Sequence, residues 1–65
     1  MSINLKINGV ALTASYATNG ANQVCYVALA DSTGQDVTEA LEYTSTMVTA
    51  WGLARIHHML QGGAA

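Results

Sequence analysis

Asn8-Gly9, set between two runs of alternating apolar residues, is the feature that most constrains this chain. A two-residue type I′ turn needs positive φ at both central positions, and Asn-Gly adopts it most readily. Before the turn, Ile3, Leu5 and Ile7 alternate with Asn4 and Lys6. After it, Val10, Leu12, Ala14 and Tyr16 alternate with Ala11, Thr13 and Ser15. A period of two is that of a strand with one buried face. Turning at Asn8-Gly9 pairs Ile7 with Val10, Leu5 with Leu12 and Ile3 with Ala14. Turn chemistry and hydrophobic pattern therefore demand the same register.

Thr18-Asn19-Gly20-Ala21-Asn22 reads as a second turn, and Gln23 to Ala30 as a third strand. Both faces of that strand are apolar. If the loop sets Tyr16 opposite Val24, then Val24, Tyr26 and Ala28 join the core face. Cys25, Val27 and Leu29 then lie on the back of a three-stranded meander. A one-residue shift would exchange the two sets.

Beyond Ser32-Thr33-Gly34-Gln35 the spacing becomes helical. Asp36 is a good N-cap, with Glu39 three residues on. Val37, Leu41, Thr44, Met47, Val48 and Trp51 share one face at 100° per residue, and Gly62-Gly63 supplies a stop. Thr44, Thr46, Val48 and Thr49 are β-branched and poor helix formers, so residues 43–51 also fit a fourth strand followed by a short helix after Gly52. Cap, spacing and stop together favour one long helix. Its apolar stripe shifts after Gly52, where Leu53, Ile56 and Leu60 point away from the first face. The first half is expected to cover the sheet and the second to reach something else. The expected fold is thus a single α+β domain over residues 1–65: a three-stranded antiparallel β-meander followed by one long C-terminal α-helix packed on one face.

Composition turns this fold toward function. Only 9% of the 65 residues are charged, while 51% are apolar. Soluble domains carry about a quarter charged residues, and small domains bury a smaller share of their area than large ones. The apolar surplus is expected to face a partner, either a larger protein or a second copy in a homodimer. Two cations on a chain of net charge −2 cannot neutralise a run of phosphates, which argues against direct nucleic-acid binding. The longest apolar run, Val24 to Ala30, is far short of the roughly 20 residues that span a bilayer. The start alternates polar and apolar residues and has no secretory pattern. The single cysteine, Cys25, offers no internal bridge. The chain therefore reads as cytoplasmic.

No residue set supports catalysis or a cofactor. Cys25 with His57 or His58 lacks a specified orienting group. His57 and His58 diverge by about 100° on a helix, whereas chelation from one face wants residues three or four apart. Imidazoles near a helix C-terminus have a simpler reading as partners of its dipole. The Asn-Gly pairs at 8–9 and 19–20 are not followed by a Gly-Lys-Ser/Thr sequence and read as turns. No catalytic, cofactor or metal residue is assigned.

Two surfaces are the candidate sites. Asp31, Asp36, Glu39 and Glu42, with Tyr43 beside them, form an acidic surface suited to a Lys/Arg-rich site on a larger protein, such as one that normally holds nucleic acid. Carboxylates at a helix start also complement its dipole without any partner. Cys25, Val27 and Leu29, with the Leu53, Ile56 and Leu60 ridge, form the candidate oligomer interface. The expected function is a non-enzymatic protein-binding module that occupies a surface on a larger protein, with a structural homo-oligomer as the alternative. Small acidic inhibitors encoded by phages and mobile elements, anti-CRISPR proteins among them, share this general character by analogy.

Overall fold

The computed structural model describes residues 1–62. Strand β1 (Ser2–Ile7) turns into β2 (Val10–Thr18) through Asn8 at φ 51° and Gly9 at φ 80°. Ile7 pairs with Val10, Leu5 with Leu12 and Ile3 with Ala14, as the turn and the pattern require. Strand β3 (Val24–Asp31) adds antiparallel to β2, giving a sheet in the order β1-β2-β3.

The register of β3 corrects the expected one. Tyr16 stands opposite Val27 and Ala14 opposite Leu29. This odd displacement exchanges the two faces of the strand. Val27 and Leu29 are buried in the core, at 2% and 1% exposure, while Tyr26 faces outward. Val27 and Leu29 are therefore unavailable as an oligomer surface. The cause is local. Asn19 closes the preceding loop on itself, its Oδ1 accepting from the N–H groups of Ala21 and Gln23. A ladder irregularity then falls beside Ala17 and Thr18, leaving Cys25 without a cross-strand partner. This bulge returns Val24 to the core side.

After β3 the chain folds back along that strand's outer edge. Val37 N–H donates to the Leu29 carbonyl and Leu29 N–H to the Thr38 hydroxyl, closing part of an edge that would otherwise invite pairing. The expected long helix is two helices. A single turn, α1 (Thr38–Leu41), ends at Glu42, and α2 runs over Ser45–Leu60. Tyr43 between them takes φ 65°. Thr44 is the cap of α2: extended, with its hydroxyl oxygen accepting from Met47 N–H at 3.3 Å and donating to the Leu41 carbonyl. Asp36 instead accepts from Thr38 N–H in a local turn. Residues 45–51 are helical, not a fourth strand. At the other end Gly62 takes φ 86° and its N–H reaches the Met59 carbonyl. Gly63, the second residue of the expected stop, lies outside the described residues.

The break resets the phase of the helix. Met47, Ala50, Ala54 and His58 face the sheet, with Ala50 and Ala54 wholly buried. Two alanines at the contact let the helix axis come close to Leu12, Ala14, Tyr16, Val27 and Leu29. Val48 is consequently outside, at 72% exposure, and Leu53 packs against the core instead of joining an outer ridge. The opposite face of the sheet, with Asn4, Lys6, Ser15, Ala17 and Tyr26, is exposed.

Candidate interaction surface

Tyr43 is 97% exposed and held in the left-handed region. That region costs a non-glycine residue about 1–2 kcal/mol, and a fully solvated aromatic ring returns nothing by burial. The backbone is forced there because one short helix must stop at Leu41 and the next begin on the Thr44 cap. The outcome is an aromatic side chain displayed at the sharpest corner of the molecule.

Beside it lies a groove of about 390 Å³ lined by Glu42, Tyr43, Met47, Val48, Trp51 and Arg55. The Arg55 guanidinium sits 5.1 Å from the Trp51 ring centroid, within range of a cation–π contact that holds both side chains. Tyr, Trp and Arg are the residue types that dominate binding energy at protein interfaces. On the other side of Glu42 a second groove, about 430 Å³, is lined by Tyr26, Asp36, Thr38, Glu39 and Glu42. Glu42 belongs to both. The fold thus brings three carboxylates, two tyrosines and a Trp-Arg pair onto one continuous corner.

Asp31 is placed differently. Its carboxylate accepts from the Thr33 hydroxyl at 2.6 Å, Thr33 N–H at 2.9 Å and Gln35 N–H at 3.0 Å. The Thr33 hydroxyl, followed by the Gln35 N–H, holds it below the ordinary carboxylate value. Asp36 is lowered in the same direction by the Thr38 hydroxyl and then by Thr38 N–H. Asp31 therefore organises its own turn, whereas Asp36, Glu39 and Glu42 face the groove.

No family model, curated protein or solved structure matches this chain. Function must be read from the corner itself. Sequence reasoning named Asp36, Glu39, Glu42 and Tyr43. It missed Tyr26, which it assigned to the core, and the Trp51-Arg55 pair. A signal for the corner was present in Thr44-Ser45, two good N-cap residues inside a run poor in helix formers.

The remaining polar centre joins strand to helix. Tyr16 hydroxyl lies 2.9 Å from both Met1 Sδ and His57 Nδ1. His58 is buried, with Nε2 at 3.0 Å from the Asn22 carbonyl and Nδ1 unpartnered. The two imidazoles thus reach different partners. Among the described residues no group of three or more His, Cys, Asp or Glu side chains could hold a metal ion. No helix among them is long and apolar enough to cross a membrane. Cys25 is exposed on the β3 bulge, and Ile56 and Leu60 are exposed on α2.

Proposed function

We propose that this protein is a non-enzymatic binding module whose α1–α2 corner occupies a Lys/Arg-rich surface on a larger protein. The observation that carries the reading is Tyr43, displayed in a strained backbone conformation on the aromatic groove and next in sequence to Glu42, which lines that groove and the acidic one. The corner needs a left-handed residue, but glycine would meet that need without strain. A solvated tyrosine there is a cost the fold does not require, and such sites cluster where chains bind. Asp36, Glu39 and Glu42 supply the charge complement to a basic surface and speed encounter with it. Tyr43 and Trp51 supply the desolvated anchors.

A basic surface of this kind is commonly one that holds nucleic acid. Occupying it would exclude the nucleic acid, and that is how an inhibitor of this size would act. The single exposed thiol of Cys25 suits work in a reducing cytoplasm.

The test is affinity capture from native lysate with the wild type, Glu39→Lys/Glu42→Lys and Tyr43→Ala, followed by competition with nucleic acid on the purified partner. A partner retained by the wild type at low salt, released by about 0.5 M salt and lost from both variants is the expected result. Equal capture by all three proteins would remove the reading.

A further inference from the structure

The outer face of α2 is open and carries an apolar stripe among the exposed Ser45, Thr49 and Arg55. Val48, Ile56, Met59 and Leu60 are 72%, 53%, 50% and 79% exposed. At 100° per residue, Val48, Gly52, Ile56 and Met59 fall along one stripe. Nothing lies within 4 Å of the position a Gly52 Cβ would take, so the stripe has a notch at its centre and bulky side chains on either side. The helix carries one charged side chain, Arg55, and its guanidinium sits over Trp51.

The order of residues around the notch is nearly palindromic. Ala50 and Ala54, Trp51 and Leu53, and Val48 and Ile56 are pairwise equidistant from Gly52. With a rise of about 1.5 Å per residue, Val48 and Ile56 lie about 6 Å to either side of Gly52. A closed two-fold contact requires a surface that complements itself, residue i meeting j while j meets i. This stripe meets that condition: an antiparallel pair of α2 helices crossing at Gly52 sets each Val48 against Ile56 of the other copy. Met59 then meets the small side chain of Ser45.

Electrostatics selects the same face. The chain has net charge −2, and its acidic corner repels another like it. The stripe lets two copies meet without bringing carboxylates together. Its area fits only a weak association, since a face of three exposed apolar side chains and a glycine buries less than the roughly 1,000 Å² that a stable specific interface clears. We propose that the protein forms a weak antiparallel homodimer through α2, with the two-fold axis at Gly52. This surface differs from the corner that binds the partner, and Val48 alone touches both.

Sedimentation velocity on reduced protein from about 10 μM to about 1 mM, where an interface of this size equilibrates, should show a concentration-dependent rise from one chain to two. Ile56→Glu, at an exposed position outside both grooves, should weaken association by roughly tenfold or more with an unchanged circular dichroism spectrum. Gly52→Cys in a Cys25→Ser background should form an intermolecular disulfide on mild oxidation, because only residues near the axis bring their Cα atoms within disulfide reach. Ser32→Cys in the same background should not. A single-chain mass at the highest concentration, a dimer indifferent to Ile56→Glu, or no cross-link at position 52 would each overturn the proposal. Charge reversal at Glu39 and Glu42 leaves the mass unchanged if the two surfaces are separate.

Discussion

The hydroxyl of Tyr16 lies 2.9 Å from His57 Nδ1, tying the middle strand of the sheet to the last turns of α2 across 41 residues of chain. Tyr16 is also a core residue, 4% exposed and flanked edge-on by both imidazoles. Its two roles can be separated by substitution. Tyr16→Phe keeps the ring and loses the hydrogen bond, at a cost of about 1 kcal/mol. Tyr16→Ala empties the site at a cost of about 3–5 kcal/mol, comparable to the whole stability of a domain this small. Chemical denaturation should show a lowered midpoint for the first and an unfolded chain for the second. A double-mutant cycle of Tyr16→Phe with His57→Ala should return a coupling of about 0.5–1.5 kcal/mol.

Neighbouring positions in β3 are expected to respond in opposite ways. Val27→Ala removes methyl groups from a fully packed site and should cost about 2 kcal/mol. Cys25→Ser alters an exposed bulge residue and should stay within about 0.5 kcal/mol of the wild type. In the folded state the Cys25 thiol should react freely with a thiol-specific reagent. A neutral Val27→Ala beside a strongly destabilising Tyr26→Ala, whose native ring is outward here, would return the register to the alternative with Tyr16 opposite Val24.

That contrast marks where the sequence was legible. The β1–β2 register was, because Asn8-Gly9 admits one turn geometry and the alternation agrees with it. The β3 register was not, because a loop closed by the Asn19 side chain sets no fixed offset. An apolar strand on both faces gives no pattern with which to choose, and a bulge leaves no trace in hydrophobicity. The helix was half legible. Its existence followed from the spacing, but the break at Tyr43 required seeing that Thr44 is a better cap than Asp36. Once the break shifted the phase, Val48 moved outside and Leu53 inside. The carboxylates of the corner were visible in the sequence as a cluster. Their grouping with Tyr26 and Trp51 is a product of the tertiary fold.

Acid should weaken the protein through Asp31 and Asp36. Both carboxyls are held below their ordinary value of 3.8, Asp31 first by the Thr33 hydroxyl and Asp36 first by the Thr38 hydroxyl. A folded-state pKa below the unfolded one means the charged form is favoured by folding. The contribution is therefore complete above the ordinary value and is lost as pH falls through the lowered folded values. Asp31→Ala should be less stable than the wild type at neutral pH. The gap should close progressively below about pH 3.8, measured by urea denaturation at a series of pH values. A gap that persists unchanged to the acid limit would assign the loss to packing of the turn and not to the charge.

Tyr43 sets stability and binding against each other. Its φ of 65° disfavours any residue with a Cβ, and its ring, 97% exposed, has no burial to lose. Tyr43→Gly relieves about 1–2 kcal/mol of backbone strain and returns part of that in the greater entropy of the unfolded glycine. The expected net change is a gain of about 0.5 kcal/mol, read as a small rise in the denaturation midpoint. Most large-to-small substitutions move the other way. The same variant should bind the partner at least roughly tenfold more weakly, because the anchor of the corner is gone. Opposite signs at one position would mean that the left-handed tyrosine is kept for contact. A variant that is both less stable and equally competent to bind would mean that the ring supports the fold and that the α1–α2 corner has no anchor.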